Sequence, residues 1–406
     1  MEKGELPEND HRKLGQKLDL FSFHDVAPGA PFWHPKGMLI FRELEKYARK
    51  INDENGYEET STPILVKKEV FENSGHWKHY KENMFWFKNP TDKNETLVVK
   101  PMNCPESTYI YNSRIRSFRD LPIRLAEIGR LHRNERSGTL GGLFRVRQIT
   151  MDDAHIYCAP EQTEDEIKSV MQIIDNFYKM LGFKPIYVLA TRPGKALGDK
   201  EAWKKAEEAL ANALEKSRIK YDIAKGEGAF YGPKIEVHMK DSQNRDWQLG
   251  TAQLDLVMLP EQFKLFYMDS DGKKAMPWVI HRAIFGSFER FIGILTEHYA
   301  GAFPFWLSPI QIGVLSVNDS SLPYAKNVVE EIRQKGYRVE LDGRNETIGK
   351  KIREGEMKKI PYLLVMGERE AESKTVTVRE RGGKDMGGMT IDSLIKIISE
   401  KNAVTV

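Results

Sequence analysis

The chain has 406 residues, 30% of them charged, with 62 Lys plus Arg against 59 Asp plus Glu for a formal net charge of +3. That length supports two or three domains with large cores and excludes a stapled mini-protein, while the charge balance confines any nucleic-acid site to a local patch. Two cysteines, Cys104 and Cys158, and the lack of an apolar signal or membrane-length run read as a soluble, cytoplasmic chain with no disulfide and no membrane partner.

From Gly37 to Asn52 the apolar residues Leu39, Ile40, Leu44, Tyr47, Ala48 and Ile51 recur at helical spacing. A strand is expected over Glu59 to Val66, and Pro63 inside it, lacking an N–H, marks it as an edge or interface strand. Thr96 to Lys100 and Leu121 to Arg130 read as further strands, and Leu143 to Cys158 as a longer one. Thr163 with Glu166 forms a capping-box pattern at the start of a helix reaching Leu181. Lys234 to Met258 alternates like paired strands turning near Ser242 to Asn244, and Ala283 to Tyr299 returns to a helical period. This irregular mixture predicts an α+β domain on an antiparallel sheet.

After Phe303-Pro304-Phe305-Trp306 the pattern changes. Strands at Ile310 to Val317, Arg338 to Leu341, Tyr362 to Met366 and Thr375 to Arg381 alternate with helices at Tyr324 to Lys335, Thr347 to Lys359 and Ile391 to Lys401. Such alternation predicts a compact α/β domain, with the boundary near Leu307. The glycine-rich stretch from Arg381 to Gly388 reads as a mobile loop.

Three stretches carry candidate chemistry. If LFRVRQITMDDAHIYC is extended throughout, Arg145, Arg147, Ile149, Met151, Asp153 and His155 share one face. That face is either a solvated surface with a salt bridge or a pocket for phosphate and a small polar ligand. Before it, in IGRLHRNERSGTLGGLFR, Arg133 and Glu135 are placed to meet one ligand, with glycines freeing the loop beyond. In IHRAIFGSFERFIGIL, Gly286 and Arg290 are four apart and are expected to share a helix face. Each signal is weak alone, and ordinary packing explains each equally well.

Together they resemble motifs 2 and 3 of the class II aminoacyl-tRNA synthetases, with Pro63 where motif 1 has its proline. The resemblance is closest to the threonyl-tRNA synthetase family. DHRKLG, LDLFSF, SGHW, KPMNCP, DLPIRLAEIG, HRNE-x-SG, TMDDAHI, FYGPKIE, GTAQLD, IHRAI, GSFERFIGIL and RNETIGKKIRE occur in that family's order, across residues 10 to 400. It implies a class II catalytic domain over residues 1–306 and an α/β anticodon-binding domain over residues 307–406. The implied activity is threonine–tRNA ligation, with ATP, L-threonine and tRNA(Thr) as substrates and a homodimer as the assembly. The resemblance also implies that the family's N-terminal domains, including one that hydrolyses seryl-tRNA, are missing from these residues. The sequence is then either a trimmed piece or a natural editing-free form helped by a separate editing protein in trans.

Carried over residue by residue, the resemblance makes Cys104, His155 and His281 ligands of one Zn²⁺, a set whose spacing no local rule recognises. It gives ATP, with Mg²⁺, to Arg133, Glu135, Arg145, Ile149, Gln248, Thr251 and Arg290, and the amino acid to Met102, Asp153, Tyr231, Lys234, Gln253 and Ser287. Arg133 and Arg290 would grip phosphates during catalysis, and His76 would assist transfer to the terminal adenosine; read without the family, His76 is a partly exposed surface histidine. Asn345, Lys359, Glu370 and Arg379 match anticodon-reading positions. The sequence departs from the family at Glu106-Ser107, where Gly-His is frequent, at Met151, where glutamine is frequent, and at Ile149, where an aromatic residue often stacks on adenine. Two competitors remain at this stage: a non-catalytic RNA-binding or regulatory paralogue, and a synthetase for serine or proline.

Overall fold

The computed structural model describes residues 6–401. It divides into two compact units. One comprises Phe23–Pro31 and Glu45–Gly293; the other comprises the described residues up to Ser22, Phe32–Leu44 and those from Ile294 onward.

The first unit is built on an eight-stranded sheet in the order Tyr221–Ala224, Ile186–Ala190, Lys234–Lys240, Asp246–Asp255, Trp278–Ala283, Gln148–Cys158, Ile123–His132 and Glu58–Glu59. Every junction from Ile186–Ala190 to Ile123–His132 is antiparallel, and each edge strand is parallel to its neighbour. The α+β, antiparallel expectation therefore holds. One face is covered by the helix Thr163–Met180. Its Ile167, Val170, Met171, Ile174 and Phe177 are buried, and three acidic residues occupy the first turn, where the helix dipole favours them. With that face closed, polar side chains on the other are left to line a site.

Several boundaries differ from the sequence expectation for identifiable reasons. The predicted strand from Glu59 to Val66 is split into Glu58–Glu59 in the large sheet and Leu65–Lys67 in a small sheet with Thr96–Val99 and Phe85–Lys88. The chain leaves the large sheet at Thr62, whose N–H and hydroxyl donate to the Glu127 carboxylate, and Pro63 has no N–H to continue a ladder. The strand expected from Leu143 begins only at Gln148, because the Arg147 N–H donates to the Gly29 carbonyl and its own carbonyl accepts from Arg133. The Thr163–Glu166 capping box is absent: Gln162 occupies the capping position, and Glu166 accepts from Nη2 and Nε of Arg124 at 2.6 and 2.7 Å.

The second unit contains a five-stranded sheet in the order Val339–Asp342, Ile312–Ser316, Tyr362–Met366, Val376–Glu380 and Lys384–Met389. The first three strands are parallel and the last two antiparallel. Val328, Val329 and Ile332 of Leu322–Gln334, with Leu394 and Ile398 of Ile391–Lys401, share one core with Val314, Leu364 and Val378. Of the stretch read as a mobile loop, Arg381 to Gly383 form a turn and the rest belongs to a strand, Lys384–Met389, whose glycines leave the backbone free to pair with Val376–Glu380 through a register shift at Val378/Arg379.

In the first unit Lys100 is 1% exposed, and its Nζ donates to Glu127 Oε1 and Thr62 Oγ1, each at 2.8 Å. Removing one partner of a buried pair strands the other charge, so Lys100→Met is expected to destabilise the fold by about 3–5 kcal/mol. Lys100→Met/Glu127→Leu should recover most of that loss. Urea midpoints check both, and an unshifted midpoint for the single variant would contradict the assignment.

Candidate active site

Cys104 opens the helix Cys104–Tyr111, and Pro105 follows at a position that needs no N–H. The thiol is buried, which pushes its pKa well up. His155 and His281 are direct cross-strand partners, with ring centroids 4.9 Å apart and planes at 80°. Sulfur and ring nitrogens of the three side chains all lie within 4.8 Å of one another. His155 Nε2 is buried without a hydrogen-bond partner among the described residues, and burial, then the charges of His281 and Arg282, hold this imidazole neutral. His281 Nε2 lies 3.4 Å from Asp255 Oδ2, and Asp255 is itself anchored by the N–H groups of Val257, Met258 and Leu259. One sulfur, two imidazoles, an orphaned nitrogen and a carboxylate behind one ring fit a divalent metal of zinc's type.

The register extends this row. Gln253 faces His281 and Lys234 faces Gln253, so Lys234, Gln253, His281 and His155 line one face of the sheet. Two residues along, Asp153 lies opposite Glu127. Its Oδ2 accepts from Asn103 Nδ2 at 2.9 Å, and burial raises its pKa to about 6. The Tyr231 ring lies 5.6 Å from His281. Met102 is half-buried before Asn103, and Ser287 forms an isolated bridge with Met151. Lys234 Nζ is held by Glu236 at 2.5 Å. Glu106, in the first turn of the Cys104 helix, is buried with both oxygens unpartnered among the described residues, and burial pushes its carboxyl up to about 8.

Beside this row stands an arginine cluster. Arg133 Nε donates to the Pro101 carbonyl at 3.1 Å, and Arg290 donates to the carbonyls of Phe144 and Gln248, each at 3.0 Å. Burial, then the charges of Arg133 and Arg145, lower the Arg290 pKa. Arg145 meets Glu135 at 2.9 Å, while Arg147 bonds the Glu135 carbonyl and Ser137 rather than facing a ligand along a strand. Three close guanidiniums with one carboxylate make a receptor for a polyanion. Ile149 is half-buried opposite Leu131; Gln248 is exposed, and the Thr251 hydroxyl donates to the Ile235 carbonyl.

Gly286 does not share a helix face with Arg290, since the helix begins only at Phe288 and Gly286 has φ +73°. A Cβ there would lie 2.6 Å from the Leu249 carbonyl oxygen, so this glycine permits a close backbone approach. Two buried carboxylates that the sequence reading missed fix the segment. Asp152 accepts from the N–H groups of Ile284 and Phe285, and Glu289 accepts from the Thr150 N–H and the Ser287 hydroxyl. Glu289 stood in the quoted GSFERFIGIL, but nothing in the spacing showed that it turns inward.

His76 is buried, with Nδ1 2.8 Å from the Ser74 hydroxyl, rather than lying on the surface. Burial, then the charges of His281 and Arg133, lower its pKa to about 4, so it is neutral at neutral pH. In the second unit the anticodon candidates spread along the sheet. Asn345 and Glu370 lie at the carboxyl end of the parallel strands, Lys359 and Arg379 toward the amino end. Glu370 is engaged by the Gly367 N–H and the Thr377 hydroxyl, Lys359 has φ +59°, and Arg379 Nε is buried without a partner among the described residues.

Comparison with known proteins gives two family matches: tRNA synthetase class II core domain (G, H, P, S and T) over residues 85–299, and anticodon binding domain over residues 311–401. A threonine–tRNA ligase of Caldanaerobacter subterraneus subsp. tengcongensis is 51% identical over 397 residues, covering 98% of this chain and 61% of that protein. One of Carboxydothermus hydrogenoformans is 51% identical over 401 residues, covering 98% and 63%. The chain thus spans about three fifths of these curated relatives. A crystal structure described as the RNA binding domain of threonyl-tRNA synthetase from Cryptosporidium parvum Iowa II superposes with a TM-score of 0.92 at 42% identity, covering 96% of this chain and 98% of that one.

Burial pushes the Glu289 carboxyl up to about 7 from an ordinary 4.5, so the folded chain holds this proton more tightly than the unfolded chain. The resulting stability is fully present below about pH 4.5 and is lost as pH rises through about 7. Glu289→Gln has no proton to lose and should lose less stability than the parent between about pH 5 and pH 8. Denaturant midpoints across that range check this; equal slopes would contradict it.

Proposed function

The chain belongs to the class II aminoacyl-tRNA synthetases, and from that premise we propose that it is the catalytic and anticodon-binding part of a threonine–tRNA ligase. The observation that carries this reading is the convergence of Cys104, His155 and His281, with Asp153 two residues along the His155 strand and Arg133 of the arginine cluster near both His76 and Tyr231. Cys104, His155 and His281 would hold zinc, which when bound would supply a Lewis-acidic position for an amino group and a hydroxyl. Asp153 accepts from that hydroxyl, while Gln253, Tyr231, Lys234, Met102 and Ser287 enclose the remainder of the amino acid. A site that demands a hydroxyl rejects valine, which an apolar pocket of the same shape separates poorly. Serine differs by only one methyl, worth roughly 10–200-fold.

Arg133 and Arg290 hold the phosphates of ATP with Mg²⁺, Glu135 and Arg145 complete the nucleotide site, and Ile149, Gln248 and Thr251 border the base and ribose. The threonine carboxylate then attacks the α-phosphorus in line and pyrophosphate leaves, so catalysis is largely positioning and charge stabilisation. Neutral His76 takes a proton from the ribose hydroxyl of the terminal adenosine during transfer. We assign residues 1–306 to the catalytic domain and 307–406 to anticodon reading, with Asn345, Lys359, Glu370 and Arg379 spaced for splayed bases. Assembly is a homodimer through the segment at Glu58–Glu59, an edge of the large sheet.

Amino-acid-dependent ATP–pyrophosphate exchange with zinc present tests the reading. Exchange should be strong with threonine, weaker with serine and absent with valine, and Cys104→Ser should lower bound zinc from one per chain, read by elemental analysis. Exchange with no amino acid would favour the RNA-binding paralogue. His76→Ala should slow transfer to tRNA by about 10²-fold while affecting exchange far less. Equal losses in both would remove His76 from the transfer step.

A further inference from the structure

Asn103 precedes the Cys104 helix, where an asparagine ordinarily caps the first N–H groups, yet its side chain makes no capping bond. Its amide instead donates through Nδ2 to Asp153 Oδ2 at 2.9 Å. The carboxylate settles the amide's orientation, because the flipped form would set oxygen against oxygen. Asn103 is fully buried, and its Oδ1 has no hydrogen-bond partner among the described residues.

What holds the amide in this pose is Gly129, on the strand beneath. A Cβ at Gly129 would lie 2.3 Å from Asn103 Oδ1, 2.7 Å from Nδ2 and 2.8 Å from Cγ, so its three nearest neighbours are the atoms of one amide. Gly129 has no positive φ and sits in register opposite Met151, so its backbone would accept any residue. The glycine is required here by the space the amide fills rather than by its conformation.

We propose that Asn103 is a positioning residue for amino-acid selection: lying flat on Gly129, it fixes the Asp153 carboxylate and leaves Oδ1 of that aspartate for the substrate hydroxyl. This rests on the reading of Asp153 as the hydroxyl acceptor. Asn103 forgoes a capping bond to do so, a local cost incurred where function requires it.

The test is a double-mutant cycle on the zinc-loaded chain with Asn103→Ala, Gly129→Ala and the double variant, read by pyrophosphate exchange. Loss of a hydrogen bond to a charged group should lower kcat/KM for threonine by about 10- to 100-fold in Asn103→Ala, with KM for ATP unchanged. Gly129→Ala should do the same, and the double variant should be no worse than Asn103→Ala alone, because the added methyl then meets no amide. Additive losses, or equal losses toward threonine and ATP, would overturn the proposal. A parent chain without threonine-dependent exchange would overturn the reading of function instead. A crystal structure of Asn103→Ala then decides the positioning claim by itself: a displaced Asp153 carboxylate supports it and an unmoved one refutes it.

Discussion

The antiparallel register between Gln148–Cys158 and Trp278–Ala283 is the constraint on which the site depends. Setting His155 opposite His281 puts both imidazoles on one face, and the next pairings add Gln253 and Lys234 to the same row. A slip of one residue would turn every one of these side chains into the opposite layer, where Thr163–Met180 packs its apolar stripe. Register is thus held by burial on one face and used for chemistry on the other.

The second constraint is the cost of burying charge. Lys100 with Glu127, Asp152 beneath the Ile284–Ser287 segment, Asp255 behind His281 and Glu289 beneath Thr150 are all removed from water, and each finds donors or a partner. These groups hold backbone where a loop would otherwise wander, because leaving any of them unpaired in a low dielectric is expensive. The exceptions are informative. Among the described residues His155 Nε2 remains unpartnered beside the candidate metal position, as expected of a group shaped for a ligand, and Asn103 Oδ1 remains unpartnered where its amide packs on Gly129. Glu106, whose carboxyl is also unpartnered, has no such explanation in the structure.

Much of the architecture was legible from pattern. The strand Tyr362–Met366 and the helix Ile391–Lys401 fall where periodicity placed them, and the turn near Ser242 to Asn244 joins two paired strands. Boundaries failed where one side chain outcompeted local preference. Thr62 bonding to Glu127 broke an expected strand, and Arg147 bonding to the Gly29 carbonyl delayed another. The glycine-rich stretch after Arg381 was misread because glycine signals conformational freedom, whereas here that freedom serves an edge strand.

By itself the sequence determined the class of each unit, since apolar periodicity and turn residues act over a few neighbours. Its ordered motifs also carried the family and the identity of the metal and phosphate candidates. Only the tertiary structure decided that Cys104, His155 and His281 converge, that His76 is buried and neutral, and that Asn103 lies on Gly129 to hold Asp153. Those relations join residues tens to more than a hundred positions apart, through strand register and through the volume a missing side chain leaves. Neither quantity leaves a trace in local spacing.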